Sequence, residues 1–171
     1  MKTMARAFMI CATSVLLAVA SGVAVASAQA SPAPATDPSG FASGADVQAQ
    51  LREMLAAMKP DQGFMWRPLV RDGATVAAIE IWKKPGRPAV HPADAEYAIV
   101  LEGSGTLVSG GAMADQKVKN ASLIEGSRIE GGATRTLGPG DVILIPAGVP
   151  HWFGITGDRL VLLGLKLPGA K

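Results

Sequence analysis

The clearest indication of the fold comes from Gly140–Phe153, which reads GDVILIPAGVPHWF. Its apolar run Val142–Ile145 is bounded by turn-forming residues on both sides, which is typical of a short β-strand. Pro146 and Gly148 then predict a turn, and His151 begins a second run of large apolar residues. The chain has only two histidines. A lone histidine is commonly just a satisfied polar group, but its place within this stretch makes His151 a candidate site residue.

The other histidine lies in the stretch Gly86–Gly103, which reads GRPAVHPADAEYAIVLEG. Four residues separate His91 from Glu96, and six more separate Glu96 from Gly103. Because side chains alternate across a strand, positions 89, 91 and 93 are expected to share one face. A carboxylate that projects into an apolar interior is costly unless it is paired or metal-bound. His91 and Glu96 are therefore candidate site residues as well.

The chain changes character after Pro60, from a helical pattern to short β-type runs separated by Gly, Pro and Asp. No second helical pattern follows that would build a parallel α/β sheet, so the runs favour an antiparallel sandwich or barrel. The candidate strands are residues 64–70, 74–83, 96–101, 104–109, 122–130, 133–137, 141–146, 151–156 and 159–167. Between the two histidine segments, residues 109–122 are expected to form an extended loop and residues 123–137 an extra hairpin.

The two histidine segments resemble the two motifs of the cupin superfamily, whose members are small β-barrels of the jelly-roll type. The second segment has the family pattern Gly-x5-Pro-x-Gly-x2-His up to His151, after which Ile155 stands where Asn is usual. The first segment departs further, since Ala89 stands where another histidine is usual and Lys83 where a glycine is usual. The likeness extends over residues 64–167. It implies an all-β jelly-roll barrel with one short N-terminal amphipathic helix.

In metal-binding cupins two first-motif histidines, the glutamate and the second-motif histidine hold one divalent metal. The resemblance therefore implies His91, Glu96 and His151 as metal ligands, three of the usual four. Two imidazoles and one carboxylate are also the ligand set that holds non-haem Fe(II) with open positions. The metal is Fe, Mn, Ni, Zn or Co, because the sequence does not fix its identity. Either water or a polar residue such as Glu80 fills the place vacated at Ala89.

Alternation along the strands predicts which side chains surround the site. The residues expected to line the pocket are Ala89, Ala98, Val100 and Phe153. Tyr97 is expected to face outward, and Gly103 and Gly105 are interpreted as the glycines of a hairpin turn. The three tryptophans are interpreted as packing residues in the core or at the barrel rim. They are Trp66, Trp82 and Trp152.

Residues 1–30 are typical of a cleaved secretory signal, with an early basic region, an apolar core and a small-residue end. Cleavage after Ala28 or Ala30 fits that pattern, and it places the protein in the periplasm or outside the cell. The alternative is that residues 7–28 remain as an anchor helix. The only cysteine is Cys11, so the processed chain is expected to contain no disulfide and no thiolate ligand.

The remaining chain divides into a linker, residues 31–44, a helical segment, residues 45–60, and the barrel, residues 61–171. Within the helical segment, residues 46–58 show an amphipathic pattern with Asp46 as the N-cap. The residues on its apolar face are Val47, Leu51, Met54, Leu55 and Met58. This face must be buried against the barrel or against a second copy, and a homodimer is therefore a possible partner arrangement.

The net charge of the whole chain is +2, from 16 basic and 14 acidic residues. Lys2 and Arg6 leave with the predicted signal, so 14 basic residues then balance 14 acidic ones. A neutral chain does not indicate nucleic acid or a membrane surface as a partner. Two functions remain open. One is a metal-dependent enzyme of oxygenase, isomerase or lyase type on a small organic molecule, and the other is a binding module for a small ligand or metal without turnover.

Overall fold

A computed structural model describes residues 37–168 of the chain. The predicted signal and residues 31–36 of the predicted linker lie outside this range. The described part is an all-β jelly-roll with one helix, α1 (Gly44–Ala57), as the sequence predicted. The strands are β1 (Phe64–Asp72), β2 (Thr75–Trp82), β3 (Ala89–Val90), β4 (Asp94–Ser109), β5 (Ala112–Ala114), β6 (Lys117–Asn120), β7 (Leu123–Glu125), β8 (Arg128–Glu130), β9 (Ala133–Leu137), β10 (Val142–Ile145) and β11 (His151–Pro168).

Helix α1 begins two residues earlier than predicted, and its N-cap is Ser43 rather than Asp46. Asp46 is instead the third helical residue. Its carboxylate accepts from the Ser43 N–H at 2.8 Å, while the Ser43 hydroxyl accepts from the Asp46 N–H at 3.2 Å. This reciprocal capping box satisfies two backbone donors and fixes the start of the helix. Within residues 37–168, no helix is long and apolar enough to cross a membrane.

The long strands β4 and β11 form the centre of the sheet and pair antiparallel along most of their length. Strand β2 pairs with the outer edge of β11, and β1 pairs with β2. On the other edge of β4, β10 pairs with the first half and β9 with the second half. Strand β3 joins the sheet through Ala89, which lies opposite His151. This pairing brings the two histidine segments side by side.

Two pairs of predicted strands are in fact single strands, because β4 and β11 each run through a predicted break. The interpretation of Gly103 and Gly105 as hairpin-turn glycines is therefore wrong. Gly103 has a positive φ of 79° and lies where the register with β11 shifts, which is typical of a β-bulge. A Cβ on Gly105 would collide with the carbonyl oxygen of Gly154. These glycines allow close strand approach rather than chain reversal.

The segment between the two motifs also differs from expectation. The predicted loop 109–122 contains the short strands β5 and β6, and the predicted hairpin 123–137 does not form. Strand β7 pairs with β3 and β6, whereas β8 pairs with β5 in a separate two-stranded sheet. The chain changes partners at Gly126, whose N–H donates to Pro88 at 2.9 Å while the Ser127 N–H donates to Ala114 at 3.0 Å.

Strands β2 and β11 bury both of their faces, and each face belongs to a different hydrophobic cluster. The outer cluster lies under helix α1 and consists of Leu51, Met54, Met58, Ile79, Ile81 and Val161. The inner cluster fills the barrel and consists of Ala98, Val100, Leu107, Leu137, Ile143, Ile145, Phe153, Leu160 and Leu162. The predicted apolar face of the helix is confirmed, since Val47 and Leu55 pack against the outer cluster as well.

Candidate metal centre

The structure brings the three predicted ligands together. His91 follows β3, Glu96 lies in β4 and His151 is the first residue of β11. One potential ligand atom from each residue lies within 4.8 Å of the other two. The N–H of Gly148 donates to the His91 carbonyl at 2.8 Å, which ties the turn of the second motif to the first motif.

Each histidine is oriented by a backbone carbonyl. Nδ1 of His91 lies 2.9 Å from the Ser122 oxygen, and Nδ1 of His151 lies 3.0 Å from the Val149 oxygen. A carbonyl oxygen only accepts, so Nδ1 carries the proton in both rings. In the neutral form of each ring, Nε2 then presents its lone pair to the site. Both Nε2 atoms point toward Glu96.

The two Nε2 atoms converge on a single carboxylate oxygen. Oε2 of Glu96 lies 3.3 Å from Nε2 of His91 and 3.1 Å from Nε2 of His151. Two neutral imidazoles with Nδ1 protonated would direct lone pairs at a negative oxygen, which is repulsive unless a cation lies between them. Either the rings bear a second proton or a cation is bound there.

The spacing of these atoms fits a shared metal ion. Ligands about 2.1 Å from an ion and at right angles around it are about 3.0 Å apart, close to the separations observed. The donor set, two imidazole nitrogens and one carboxylate oxygen, suits divalent iron and its neighbours in the periodic table. Hydrogen bonds from Nδ1 to backbone carbonyls are the usual support of metal-ligating histidines. The residues present therefore fit a divalent metal.

A lysine that the sequence analysis did not single out joins the site. Nζ of Lys166 lies 2.6 Å from Oε2 of Glu96. The two residues are directly opposite each other in the β11–β4 pairing. The alternation of Leu160, Leu162 and Lys166 along β11 puts this lysine on the inner face, and that signal was available in the sequence.

Glu96 is buried, with 4% of its surface exposed. Burial alone would raise the pKa of Glu96. Hydrogen bonds from His151 and His91 and the charge of Lys166 lower it by more than burial raises it, so the pKa is far below its ordinary range. Glu96 is therefore a carboxylate throughout the physiological pH range. A permanent negative charge at this point favours a bound cation.

Glu80, considered above as a possible fourth ligand, lies near the three ligands but outside their group. Its Oε2 accepts from the indole Nε1–H of Trp82 at 3.1 Å. Burial, followed by the negative charge of Glu96, raises the pKa of Glu80. The site thus holds one carboxylate that stays charged and one carboxyl that tends to keep its proton.

A cavity of about 370 Å³ opens over the three ligands. Of the four residues expected to line the pocket, Ala89 and Phe153 line this cavity. Ala98 and Val100 lie in the inner cluster with 0% and 1% exposure, where side chains fill the barrel. The residues that line the cavity are Phe64, Glu80, Trp82, Gly86, Arg87, Ala89, His91, Glu96, Leu123, Glu125, His151, Trp152, Phe153 and Lys166.

Comparison with known proteins addresses the fold. Among solved structures, hydroquinone 1,2-dioxygenase PnpCD, in complex with Cd2+ and 4-hydroxybenzonitrile, has 18% identity and a TM-score of 0.50, covering 70% of that chain and 68% of this one. TT1209 from Thermus thermophilus has 18% identity and a TM-score of 0.48, covering 95% of that chain and 70% of this one. DMSP lyase DddQ from Ruegeria pomeroyi DSS-3 has 18% identity and a TM-score of 0.49, covering 67% of that chain and 77% of this one.

The sequence comparison gives the family. No curated protein matches the sequence. Residues 85–166 match the family described as Cupin, a range that contains both histidine segments and ends at the lysine beside Glu96. Together with the jelly-roll strands, this match identifies residues 85–166 as a cupin domain.

Proposed function

We propose that this protein is an exported metal-dependent enzyme that acts on a small organic molecule in the cavity. His91, Glu96 and His151 would hold one divalent ion. The observation that carries the proposal is the convergence of two imidazole nitrogens on one carboxylate oxygen, with both rings oriented by backbone carbonyls. Export is supported by the signal-like sequence of residues 1–30. Dimerisation stays a prediction.

A divalent ion at these three ligands would act as a Lewis acid on an oxygen of the substrate or as an activator of dioxygen. Three protein ligands leave coordination positions open, since Ala89 offers no ligand where a further histidine is usual in the family. Glu96 supplies the negative charge, and the backbone carbonyls keep each Nδ1 protonated. Oxygenase, isomerase and lyase reactions all remain compatible with this arrangement.

The surrounding residues would control water and protons. The ring of Phe153 meets that of His151 edge-on, with centroids 6.1 Å apart. It forms an apolar wall beside the ligands, which restricts water access from the barrel interior. Glu80 offers a carboxyl whose raised pKa suits it to hold a proton at Oε1, the oxygen that Trp82 does not contact. A substrate beside the ligands could exchange that proton.

A second function, a binding module without turnover, is favoured by one observation. The ammonium group of Lys166 already lies 2.6 Å from Glu96 Oε2. A cation of the protein itself would compete with a metal for this oxygen and would weaken metal binding. In that case the cavity would hold its ligand without metal chemistry.

Metal analysis of purified protein tests the first function. We expect near-stoichiometric divalent metal in the wild type and a loss of metal affinity of at least about 100-fold in Glu96→Gln and His151→Ala. Glu102→Gln is the matched control, because Glu102 also lies in β4 and pairs with a cation, Arg159, at 2.7 Å but lies outside the site. Negligible metal in the wild type, or equal metal in all variants, would contradict the proposal.

Turnover separates the enzyme from the binding module. Oxygen uptake with candidate phenols, diketones and thiols tests oxygenase activity, and product analysis under nitrogen tests isomerase and lyase activity. A metal-loaded protein that converts none of these compounds would support the binding module. Conversion that is lost in His151→Ala and kept in Glu102→Gln would support the enzyme.

A further inference from the structure

We propose that the cavity over the three ligands selects a planar aromatic molecule that carries an anionic group. As a statement about the substrate, this inference rests on the proposed function. Its first support is the composition of the wall. The chain has only four Phe, three Trp and one Tyr, and four of these eight residues line this cavity: Phe64, Trp82, Trp152 and Phe153.

The aromatic rings form a continuous wall that leads to the ligands. The centroids of Phe64 and Trp82 are 4.2 Å apart, and those of Trp82 and Phe153 are 6.5 Å apart. The wall continues from Phe153 to His151 at 6.1 Å and from there to His91 at 5.4 Å. Ring pairs at these separations interact favourably, and a planar guest can add its own ring to the series.

The indoles of the wall are fixed before any ligand arrives. The Nε1–H of Trp82 donates to Glu80 at 3.1 Å. The Nε1–H of Trp152 donates to the Gly86 carbonyl at 2.9 Å. Gly86 also packs on the ring of Trp82 so closely that a Cβ at this position would collide with it. A wall that is already ordered loses little conformational entropy when a flat molecule binds to it.

Charge at the cavity gives the second part of the inference. Lys166 is engaged by Glu96, and Glu125 lies 3.7 Å from the amine of Lys119. Arg87 also lines the cavity and is exposed. It makes no ion pair with any residue between 37 and 168. The uncommitted charge at the mouth is therefore a guanidinium, which binds carboxylate and phosphate groups well.

The volume sets the size of the guest. An apolar cavity of about 150 Å³ is enough to bind benzene. The cavity here has about 370 Å³, so one ring with substituents or two fused rings fit. The lining combines the candidate metal ligands and the guanidinium of Arg87 with the aromatic rings.

Binding of three probes to the purified protein, measured by calorimetry or by ligand-observed NMR, tests the inference. Benzoate and cyclohexanecarboxylate share a carboxylate and differ in the planar ring, so any coordination of the carboxylate to metal cancels between them. We expect benzoate to bind about threefold to tenfold more tightly, as ring stacking predicts. Benzyl alcohol keeps the ring without the charge, and we expect it to bind at least about threefold more weakly than benzoate.

Matched variants assign the effect to the cavity. Phe64→Leu should reduce the preference for benzoate over cyclohexanecarboxylate toward one, whereas Phe41→Leu, the same change at a residue that is 80% exposed and outside the cavity, should leave it unchanged. Arg87→Gln should weaken both carboxylates and leave benzyl alcohol unchanged. Arg71→Gln is the control, since Arg71 is exposed, lies near the far end of β1 and does not line this cavity.

Two results would overturn the inference. One is that benzoate binds no more tightly than cyclohexanecarboxylate, or does not bind. The other is that Phe64→Leu and Phe41→Leu, or Arg87→Gln and Arg71→Gln, have equal effects. Metal content measured on the same samples keeps the two proposals apart. Aromatic preference without metal would reject the proposed function alone, and metal without aromatic preference would reject this inference alone.

Discussion

Strand β2 buries both of its faces, and the two faces differ in chemistry. On the outer face, Ile79 and Ile81 lie among apolar side chains under helix α1. On the inner face, Glu80 and Trp82 lie beside a cavity that also contains Glu96. The outer face contributes to stability through apolar burial alone. The inner face borders the buried charge of Glu96 on β4, which is tolerated because His91, His151 and Lys166 surround it.

The two buried carboxyl groups beside the cavity, Glu80 on β2 and Glu96 on β4, differ in the same way. Glu96 has three nitrogen neighbours, from His91, His151 and Lys166, and it is charged. Glu80 accepts a hydrogen bond from the Trp82 indole, and its pKa is raised. Since both are buried, the number of donors decides their charge. Three substitutions test the contrast between the outer and inner faces.

The largest loss of stability is expected from a substitution in the outer cluster. Leu51 is 1% exposed, and Leu51→Ala should lower the free energy of unfolding by about 2–5 kcal/mol because it leaves a cavity under the helix. Leu144→Ala, the same change at a residue that is 63% exposed, should change it by less than about 0.5 kcal/mol. Urea unfolding measures both values. Equal effects, or a loss of metal binding in folded Leu51→Ala, would break the separation of the two faces.

The next effect is expected from Glu96→Gln in metal-free protein. At pH 7 the loss of a charged hydrogen-bond acceptor should lower the free energy of unfolding by roughly 2–3 kcal/mol. The pKa of Glu96 is below its ordinary value of 4.5, so below about pH 4.5 the unfolded state binds the proton first. Its stabilising contribution is therefore present above pH 4.5 and is lost as the solution becomes more acidic.

Urea unfolding at pH 7 and pH 3.5 in the presence of a chelator checks this prediction. The difference between wild type and Glu96→Gln should shrink at the lower pH. A difference that stays constant between the two pH values would mean that Glu96 has no lowered pKa in the folded protein.

The smallest change in the free energy of unfolding is expected from Glu80→Gln, and it is an increase rather than a decrease. The pKa of Glu80 is above its ordinary value of 4.5, so above about pH 4.5 the unfolded state releases the proton first. The wild type is therefore destabilised as the pH rises from there through the folded pKa. The amide cannot ionise and its oxygen can still accept from Trp82. Glu80→Gln should consequently be more stable than the wild type at pH 8.

The same unfolding experiment at pH 4 and pH 8 decides the sign. A variant that is less stable than the wild type at pH 8 would show that Glu80 is charged and compensated by a partner. The contrast between the two inner carboxyl groups would then fail.

The sequence predicted the three residues of the candidate metal site because their spacing along the chain follows the pairing of neighbouring strands. His91, Glu96 and His151 could be named from their positions in the two motifs. The orientation of the rings could not, since it depends on the carbonyl oxygens of Ser122 and Val149. Backbone acceptors carry no side-chain signature, so they become visible only in the folded chain.

The strand boundaries were harder to predict, because glycine has more than one role in a strand. Gly103 and Gly105 were interpreted as a turn, but both lie within β4, where they allow β11 to approach. The cavity-lining positions suffered from a related limit. Alternation places Ala98 and Val100 on the inner face of β4. It does not show which inner residues are packed in the core and which border the cavity.

The hydrogen bond between His91 Nδ1 and the Ser122 carbonyl connects the candidate site to an exposed stretch of chain. Residues 115–122 are all exposed, and nothing in the inner cluster constrains their identity. Yet the Ser122 carbonyl sets which nitrogen of His91 faces the site. Substitutions or length changes in this stretch can therefore reorient the His91 ring without replacing His91, Glu96 or His151. The exposed surface thus offers a way to adjust the candidate site.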